Sequence, residues 1–433
     1  MSYFCSCRAL VFSILTVILL ISISDCRGQE PLVFSAFGDS GGPFECSDDT
    51  ITWISAEIST AGASESLLSA EIECKGIGNF EDSDVLTISY RIDKGSWMPL
   101  IELSEDFRRT TFSTPLTLGG KSMQLKIEAK TSASNEIYLV HKLMVAASES
   151  SKAPSFPPDN SIDPKGGMQT SKGTLIIDGG SLKREPEKHT IKAFIKHVGG
   201  LNQPIVVSPT ASSVVTDAEW KEYYEAWNKT IGFKTVSKMH SPNRDPVETN
   251  TDAFVKDLRQ ARGLFIRGGR QWRLVDAYGN ADQQTKTLKE MWKLLERGGV
   301  IAGTSAGATI QGDFLPRGDT RGSGTMISDD AMHRQGFAFL PNVAFDVHVA
   351  ARGRVTHLYE VLKYANDKGK DLLGIGIDED TAIVVQGKVF QVIGSGSVFV
   401  HTWNDADEGG RILILKAGDK YNLCTRERFV AGR

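Results

Sequence analysis

The chain has 433 residues, 40% of them hydrophobic and 24% charged, with a net charge of −4. That length is enough for two or three domains, and the composition is that of a soluble globular protein rather than a disordered or fibrous one. The slight negative balance excludes the basic field that nucleic-acid binding requires.

At the N-terminus Arg8 precedes an apolar run from Ala9 to Ile23, and small or polar residues follow to Gly28. The run is short for a membrane span. A charged start, an apolar middle and a small-residue end make up a secretory signal, so residues 1–28 are expected to be removed and the mature protein to be extracytoplasmic, starting near Gln29. An uncleaved anchor is the rival. Cys5, Cys7 and Cys26 would leave with the signal; Cys46, Cys74 and Cys424 would stay. Export permits a disulfide. Cys46 with Cys74, both in one N-terminal segment, is the expected pair.

Residues 29–148 read as all-β. Leu86, Ile88, Tyr90 and Ile92 alternate with polar residues, Asp93-Lys94-Gly95 supplies a turn, and Met123, Leu125, Ile127 and Ala129 alternate again. A smaller sandwich of the jelly-roll type is expected, which would serve as a glycan- or surface-binding module or as a structural appendage. Residues 149–172, with Pro154, Pro157, Pro158, Pro164 and Gly166-Gly167, read as a linker.

From 173 to 433 strands and helices alternate. Thr174–Asp178 is a buried strand ending at Gly179-Gly180. Ile191, Phe194, Ile195 and Val198 have helical spacing, stopped by Gly199-Gly200. Thr216 and Glu219 form a capping-box pattern before a helix carrying Trp220, Tyr223, Tyr224 and Trp227, which are expected in the core. Leu264-Phe265-Ile266 is a strand ending at Gly268-Gly269, and Leu288, Met291, Trp292 and Leu295 give a helix face. This alternation predicts an α/β fold with a doubly wound, mainly parallel sheet whose ligands bind at strand C-terminal ends. Val384–Phe399 and Arg411–Leu415 read as closing antiparallel strands.

The chemistry centres on Gly303-Thr304-Ser305-Ala306-Gly307, between the apolar run Val300-Ile301-Ala302 and a helix start. Strand, G-x-S-x-G, helix is the nucleophile-elbow pattern; the alternative is a tight strand–helix turn without chemistry. A serine nucleophile needs a base and the base an orienting carboxylate. His348 ends an apolar stretch, and Asp378, Glu379 and Asp380 follow the strand Leu373–Ile377. Two orders remain open on spacing: Ser305 with Asp378 or Glu379 and His401, or Ser305 with His348 and Glu379. The long stretch Phe314 to Asn342, rich in glycine, reads as a substrate-facing loop.

Several ordered blocks together resemble cyanophycinase, a serine-peptidase relative of peptidase E on a fold related to class I glutamine amidotransferases. They are Ile301 to Ala308, Phe345-Asp346-Val347-His348 with Arg352 and Arg354, Gly374 to Thr381, Pro209 to Ser213, Phe265 to Gln271, and Val392 to Gly396. The resemblance spans 173–433. It implies Ser305 as nucleophile, His348 as base and Glu379 as its partner, against His401. It implies an oxyanion hole from Gly269 and Ala306, and substrate contacts from Arg270, Gln271, Asp346, Arg352 and Arg354. It implies no metal and no organic cofactor. The expected partner is a peptide or polymer substrate such as cyanophycin, a polyaspartate bearing isopeptide-linked arginines, and a homodimer is a further expectation. Arg270, Val347 and His357 depart from the family pattern, where aspartate, glutamine and a third arginine are usual, and point toward another β-aspartyl or acidic peptide. The rivals are another α/β serine hydrolase, an esterase or amidase, and an inactive binding protein on this scaffold.

Overall fold

The computed structural model describes residues 32–147 and 172–429, apart from short stretches at 38–41, 61–64, 77–79, 82, 105–106, 182–187, 213–215, 284, 320–323 and 404–409. The expected signal (1–28) and nearly all of the expected linker (149–172) lie outside the described residues.

The N-terminal part consists of two antiparallel layers. In one, Glu65–Lys75 lies between Ile137–Ala147 and Thr110–Thr117; in the other, Ser122–Lys130 lies between Thr50–Ile54 and Val85–Ile92. Alternation decides which side chains face inward. Leu68, Ala70, Ile72 and Cys74 of one layer meet Leu86, Ile88, Leu125 and Ile127 of the other in a common core. Cys46 and Cys74 are thiols, not bridged to each other, which corrects the expected disulfide. Both residues pair with Tyr138, one on each side of the Ile137–Ala147 strand. Two strand spacings put them about 10 Å apart, beyond the reach of a disulfide.

The rest of the chain is mixed α/β with several sheets. A nine-stranded sheet begins with five parallel strands in the spatial order Val236–Lys238, Ile205–Ser208, Gly263–Ile266, Val300–Thr304 and Thr174–Asp178. It continues antiparallel through Thr381–Gln386, Val389–Gly394, Lys420–Asn422 and Glu427–Phe429. The central strands Ile205–Ser208 and Gly263–Ile266 are buried throughout, which is why they read as continuous apolar runs. Helix His189–Val198 lays Ile191, Phe194 and Val198 on one face, and helix Lys286–Glu296 lays Leu288, Met291 and Leu294 on the other side of the chain's core. Thr216 and Glu219 make the reciprocal capping box, and Trp227 is fully buried against Phe194 and Phe265.

Three more parallel strands, Gly312–Phe314, Leu340–Val347 and Leu373–Ile377, lie in a different sheet. That sheet runs on through Val398–Thr402 and Arg411–Leu415 into Thr110–Thr117, so it is continuous with the N-terminal layer. The parallel strands are therefore divided between two sheets, each completed by antiparallel ones. The chain passes from the second sheet to the first at residues 378–380, between Leu373–Ile377 and Thr381–Gln386.

Candidate active site

Ser305 links strand Val300–Thr304 to the short helix Ala306–Thr309 at φ 53° and ψ −120°. A non-glycine residue held there stores about 1–3 kcal/mol. The neighbours make the turn possible. A Cβ on Gly303 would lie 1.9 Å from the Gly307 carbonyl oxygen, and one on Gly307 would lie 2.1 Å from that of Ile266. Both glycines of the pentapeptide are thus sterically required. The Ser305 N–H donates to the Asp178 carbonyl at 3.1 Å, and the Ser305 carbonyl accepts from Ala308 and Thr309.

His348 follows strand Leu340–Val347 at φ 57°, and its N–H donates to the Gly179 carbonyl at 2.9 Å. Its Nε2 lies 2.9 Å from Ser305 Oγ and its Nδ1 2.6 Å from Glu379 Oε1. The carboxylate holds the proton on Nδ1, which leaves the Nε2 lone pair facing the hydroxyl. Burial pushes the imidazole below the usual histidine range, partly offset by the Glu379 hydrogen bond; the Arg352 charge adds to the lowering. Hydrogen bonds from Ser181 and His348 hold Glu379 below the usual carboxylate range. At neutral pH the centre therefore contains a neutral imidazole beside an ionised carboxylate.

One glycine admits this ring, and its neighbour admits the Asp378 backbone beside it. A Cβ on Gly180 would sit 2.1 Å from His348 Cε1, and one on Gly179 would sit 1.9 Å from the Asp378 carbonyl oxygen. Asp178, fully buried, accepts from Thr190 Oγ1 and Thr304 Oγ1, each at 2.5 Å, and from the Gly180 N–H at 3.0 Å. It ties the residue before the serine to the glycine facing the histidine. Burial pushes its carboxyl up to about 6, against the pull of these donors. Asp178, Gly180 and Ser181 were not singled out from sequence; their one signal was a strand ending in Asp-Gly-Gly.

The other sequence candidates fall in different places. His401 is buried against Gly374 and Gly376 and pushed down to about 3 by that burial. The imidazole that reaches Ser305 is that of His348. Asp378 accepts from the Ala350 and Ser397 N–H groups, holding loops together. Ala306 opens its helix and so carries one of the N–H groups that a helix end leaves unpaired. Gly269, at φ 150°, lies where a Cβ would be 2.1 Å from the Ala211 carbonyl oxygen, but it is Gly268 whose Cβ would approach Ser305 Cβ, at 3.0 Å. Gly268 was the missed neighbour.

Of the five residues expected to contact substrate, Arg270 is exposed at the start of helix Gln271–Tyr278. Gln271 donates to the Pro316 carbonyl at 2.8 Å and Arg352 donates to the Gly318 carbonyl, so together they fasten the loop beside the site. Asp346 and Arg354 require correction. Arg354 Nη2 meets Asp346 Oδ1 at 2.7 Å with the two side chains 0% and 1% exposed, and it also donates to the Val347 carbonyl. Facing inward, this pair cannot touch a substrate. Burial pushes the Asp346 carboxyl up to about 6, so it is still ionised opposite the guanidinium at neutral pH.

A family profile described as peptidase family S51 matches residues 174–393. The chain is 27% identical over 274 residues to a protein described as cyanophycinase from Synechococcus elongatus, covering 59% of this chain and 81% of that one. It is also 27% identical over 280 residues to cyanophycinase from Nostoc sp. (strain PCC 7120 / SAG 25.82 / UTEX 2576), covering 60% and 88%. Among solved structures, a peptidase from an acI-B1 Actinobacterium superposes with a TM-score of 0.41 at 22% identity, over 59% of this chain and 98% of that one.

Proposed function

The chain belongs to peptidase family S51 and is a serine-type peptidase, and we propose that it hydrolyses β-aspartyl or related aspartyl peptide bonds through Ser305, His348 and Glu379. The observation that carries this reading is the single imidazole joining the Ser305 hydroxyl at 2.9 Å to the Glu379 carboxylate at 2.6 Å. The names of the similar proteins support an aspartyl isopeptide as the bond class. The five parallel strands with helices on both sides support a class I glutamine amidotransferase-like core.

In this mechanism His348 Nε2 removes the hydroxyl proton as Ser305 Oγ attacks the amide carbon. The oxyanion forms between the Ala306 N–H and the Gly268–Gly269 turn, whose donors are fixed before the reaction and need no reorganisation. The imidazolium, steadied by Glu379, then protonates the leaving amine. Water, deprotonated by His348, adds to the acyl-enzyme and regenerates the serine hydroxyl. The signal-like segment at 1–28 supports export, with the mature chain starting near Gln29.

A fluorophosphonate that phosphonylates activated serines tests the centre directly. Wild type should take one equivalent and Ser305→Ala none. Hydrolysis of β-aspartyl dipeptides should fall on the order of 10³-fold or more in Ser305→Ala and His348→Ala, and less in Glu379→Gln. The double variant of Ser305 and His348 should be little worse than either alone, because the residues act as a unit. Full activity in His348→Ala beside a dead His401→Ala would overturn the assignment.

A further inference from the structure

One four-residue turn, Asp178 to Ser181, touches Ser305, His348 and Glu379 in succession. The Asp178 carbonyl accepts from the Ser305 N–H at 3.1 Å, and the Gly179 carbonyl from the His348 N–H at 2.9 Å. The Gly180 carbonyl accepts from the Asp380 N–H, next to Glu379, at 3.3 Å. Ser181 reaches the Glu379 carboxylate itself through a side-chain hydrogen bond. The turn is clamped in its own right. Asp178 Oδ1 accepts from the Gly180 N–H at 3.0 Å, and the Gly179 N–H donates to the Thr381 carbonyl at 2.9 Å.

Two observations set Ser181 apart from an ordinary turn residue. Its φ is 55°, a left-handed position that glycine takes freely and serine does not. Ser305, His348 and Asp380 have φ of 53°, 57° and 53°, so strained backbone collects where these segments meet, a pattern found at functional sites. The second observation concerns Glu379, whose side chain is 38% exposed against 13% for His348. Packing therefore does little to fix this carboxylate, and its position depends on its hydrogen bonds. One goes to His348 Nδ1, and the Ser181 hydroxyl supplies another from a separate strand end.

We propose that Ser181 is a positioning residue: its hydroxyl, carried by the 178–181 turn, fixes the Glu379 carboxylate against His348 and so sets the reactivity of Ser305. The proposal rests on Ser305, His348 and Glu379 acting as one unit. Serine stands where glycine would suit the backbone because only the hydroxyl can donate to the carboxylate. Without it Glu379 keeps one anchor and samples other rotamers, and the imidazole spends less time with Nε2 facing Ser305 Oγ.

Ser181→Gly tests this, because it removes the hydroxyl while relieving the left-handed backbone. Its Tm should stay within a few degrees of wild type, whereas Ser305 should react with fluorophosphonate about tenfold more slowly, as for the loss of one hydrogen bond to a charged group. Glu379→Ala should also slow the labelling. Adding Ser181→Gly to it should slow labelling no further, since the serine acts only through that carboxylate. A wild-type rate in Ser181→Gly, slowing that multiplies with that of Glu379→Ala, or slowing matched by a large fall in Tm overturns the proposal. If wild-type Ser305 takes no label, the hydrolase reading fails instead, and NMR titration of the His348 imidazole then decides the positioning role. The Glu379 contacts raise that pKa against the lowering by burial, Arg352 and Arg354. Loosening Glu379 in Ser181→Gly should therefore lower it toward its value in Glu379→Ala; an unchanged value overturns the role.

Discussion

Two residue-scale contacts yield opposite expectations for function and stability. Gly180→Ala would place a methyl carbon 2.1 Å from the His348 ring and hold a side chain at φ 113°. The ring must move, and kcat/KM should fall on the order of 10²-fold through misplacement of the base. An unchanged rate would show that the ring position does not matter. Asp346→Asn should do the reverse of what a substrate contact would do. It strands the Arg354 guanidinium, 0% exposed, and losing one partner of a buried pair costs about 3–5 kcal/mol. Thermal melting should drop while the KM of the remaining folded enzyme stays put; a raised KM at unchanged Tm would return Asp346 to the substrate. The pH profile follows from His348. Its conjugate acid is inactive and its pKa lies below the usual 6.5, so kcat/KM should stay flat from neutral pH downward and fall only below that value. Glu379→Gln removes the contact that raises the imidazole pKa, so the acid limb should move further down. A limb above 6.5 in wild type would contradict the burial that sets the shift. Ser305 was legible because both flanking glycines are local steric requirements. His348 stood out from His401 only through family resemblance, and Gly180 not at all, because the clash that demands it comes from a ring 168 positions away. The Asp346–Arg354 spacing fits an outward-facing pair as well as an inward one, and only packing separates them.

At the scale of elements, periodicity located strands and helices but not their partners. The alternation in Val85–Ile92 and Ser122–Lys130 identified the buried faces, and the capping box marked its helix. Which strands become neighbours depends on pairings far apart in sequence, so the two cysteines looked adjacent when a whole strand divides them. The division of the parallel strands between two sheets was equally invisible, since a continuous apolar run reads the same in either. The cysteine geometry has a measurable consequence. A disulfide closing the loop between Cys46 and Cys74 would contribute roughly 3 kcal/mol and several degrees in Tm. With both as thiols, a reductant should leave Tm unchanged. Denaturation in an alkylating reagent without reductant should label both side chains. A reductant-dependent drop in Tm, or protection of the pair from alkylation, would mean that the strands rearrange to bring the thiols together.

For the whole molecule, the seam between the N-terminal layers and the α/β part bears directly on the site. Thr110–Thr117 pairs in parallel with Arg411–Leu415, joining residues 300 apart in sequence through Thr111 with Arg411 and Phe112 with Ile412. The N-terminal core also takes in Val349, Val355, Phe399, Ile412 and Ile414 from the later part of the chain. Val349 directly follows His348, Val355 follows Arg354, and Phe399 pairs with Gly376 on the strand leading to Glu379. His348 and Glu379 therefore hang from residues whose apolar faces the N-terminal layers cover. Each of these five side chains loses about 2 kcal/mol if uncovered, roughly 10 kcal/mol together, comparable to the net stability of a whole domain. Removal would also open the edge of the Arg411–Leu415 strand, an invitation to aggregate. We therefore expect residues 173–433 produced without 29–148 to be insoluble, or soluble with a Ser305 that reacts with fluorophosphonate at least tenfold more slowly than in the full chain. Far-UV circular dichroism and labelling rate on the two proteins decide it. A cooperative melt together with a full-chain labelling rate in the shorter protein would make the N-terminal layers a detachable module rather than the support beneath His348.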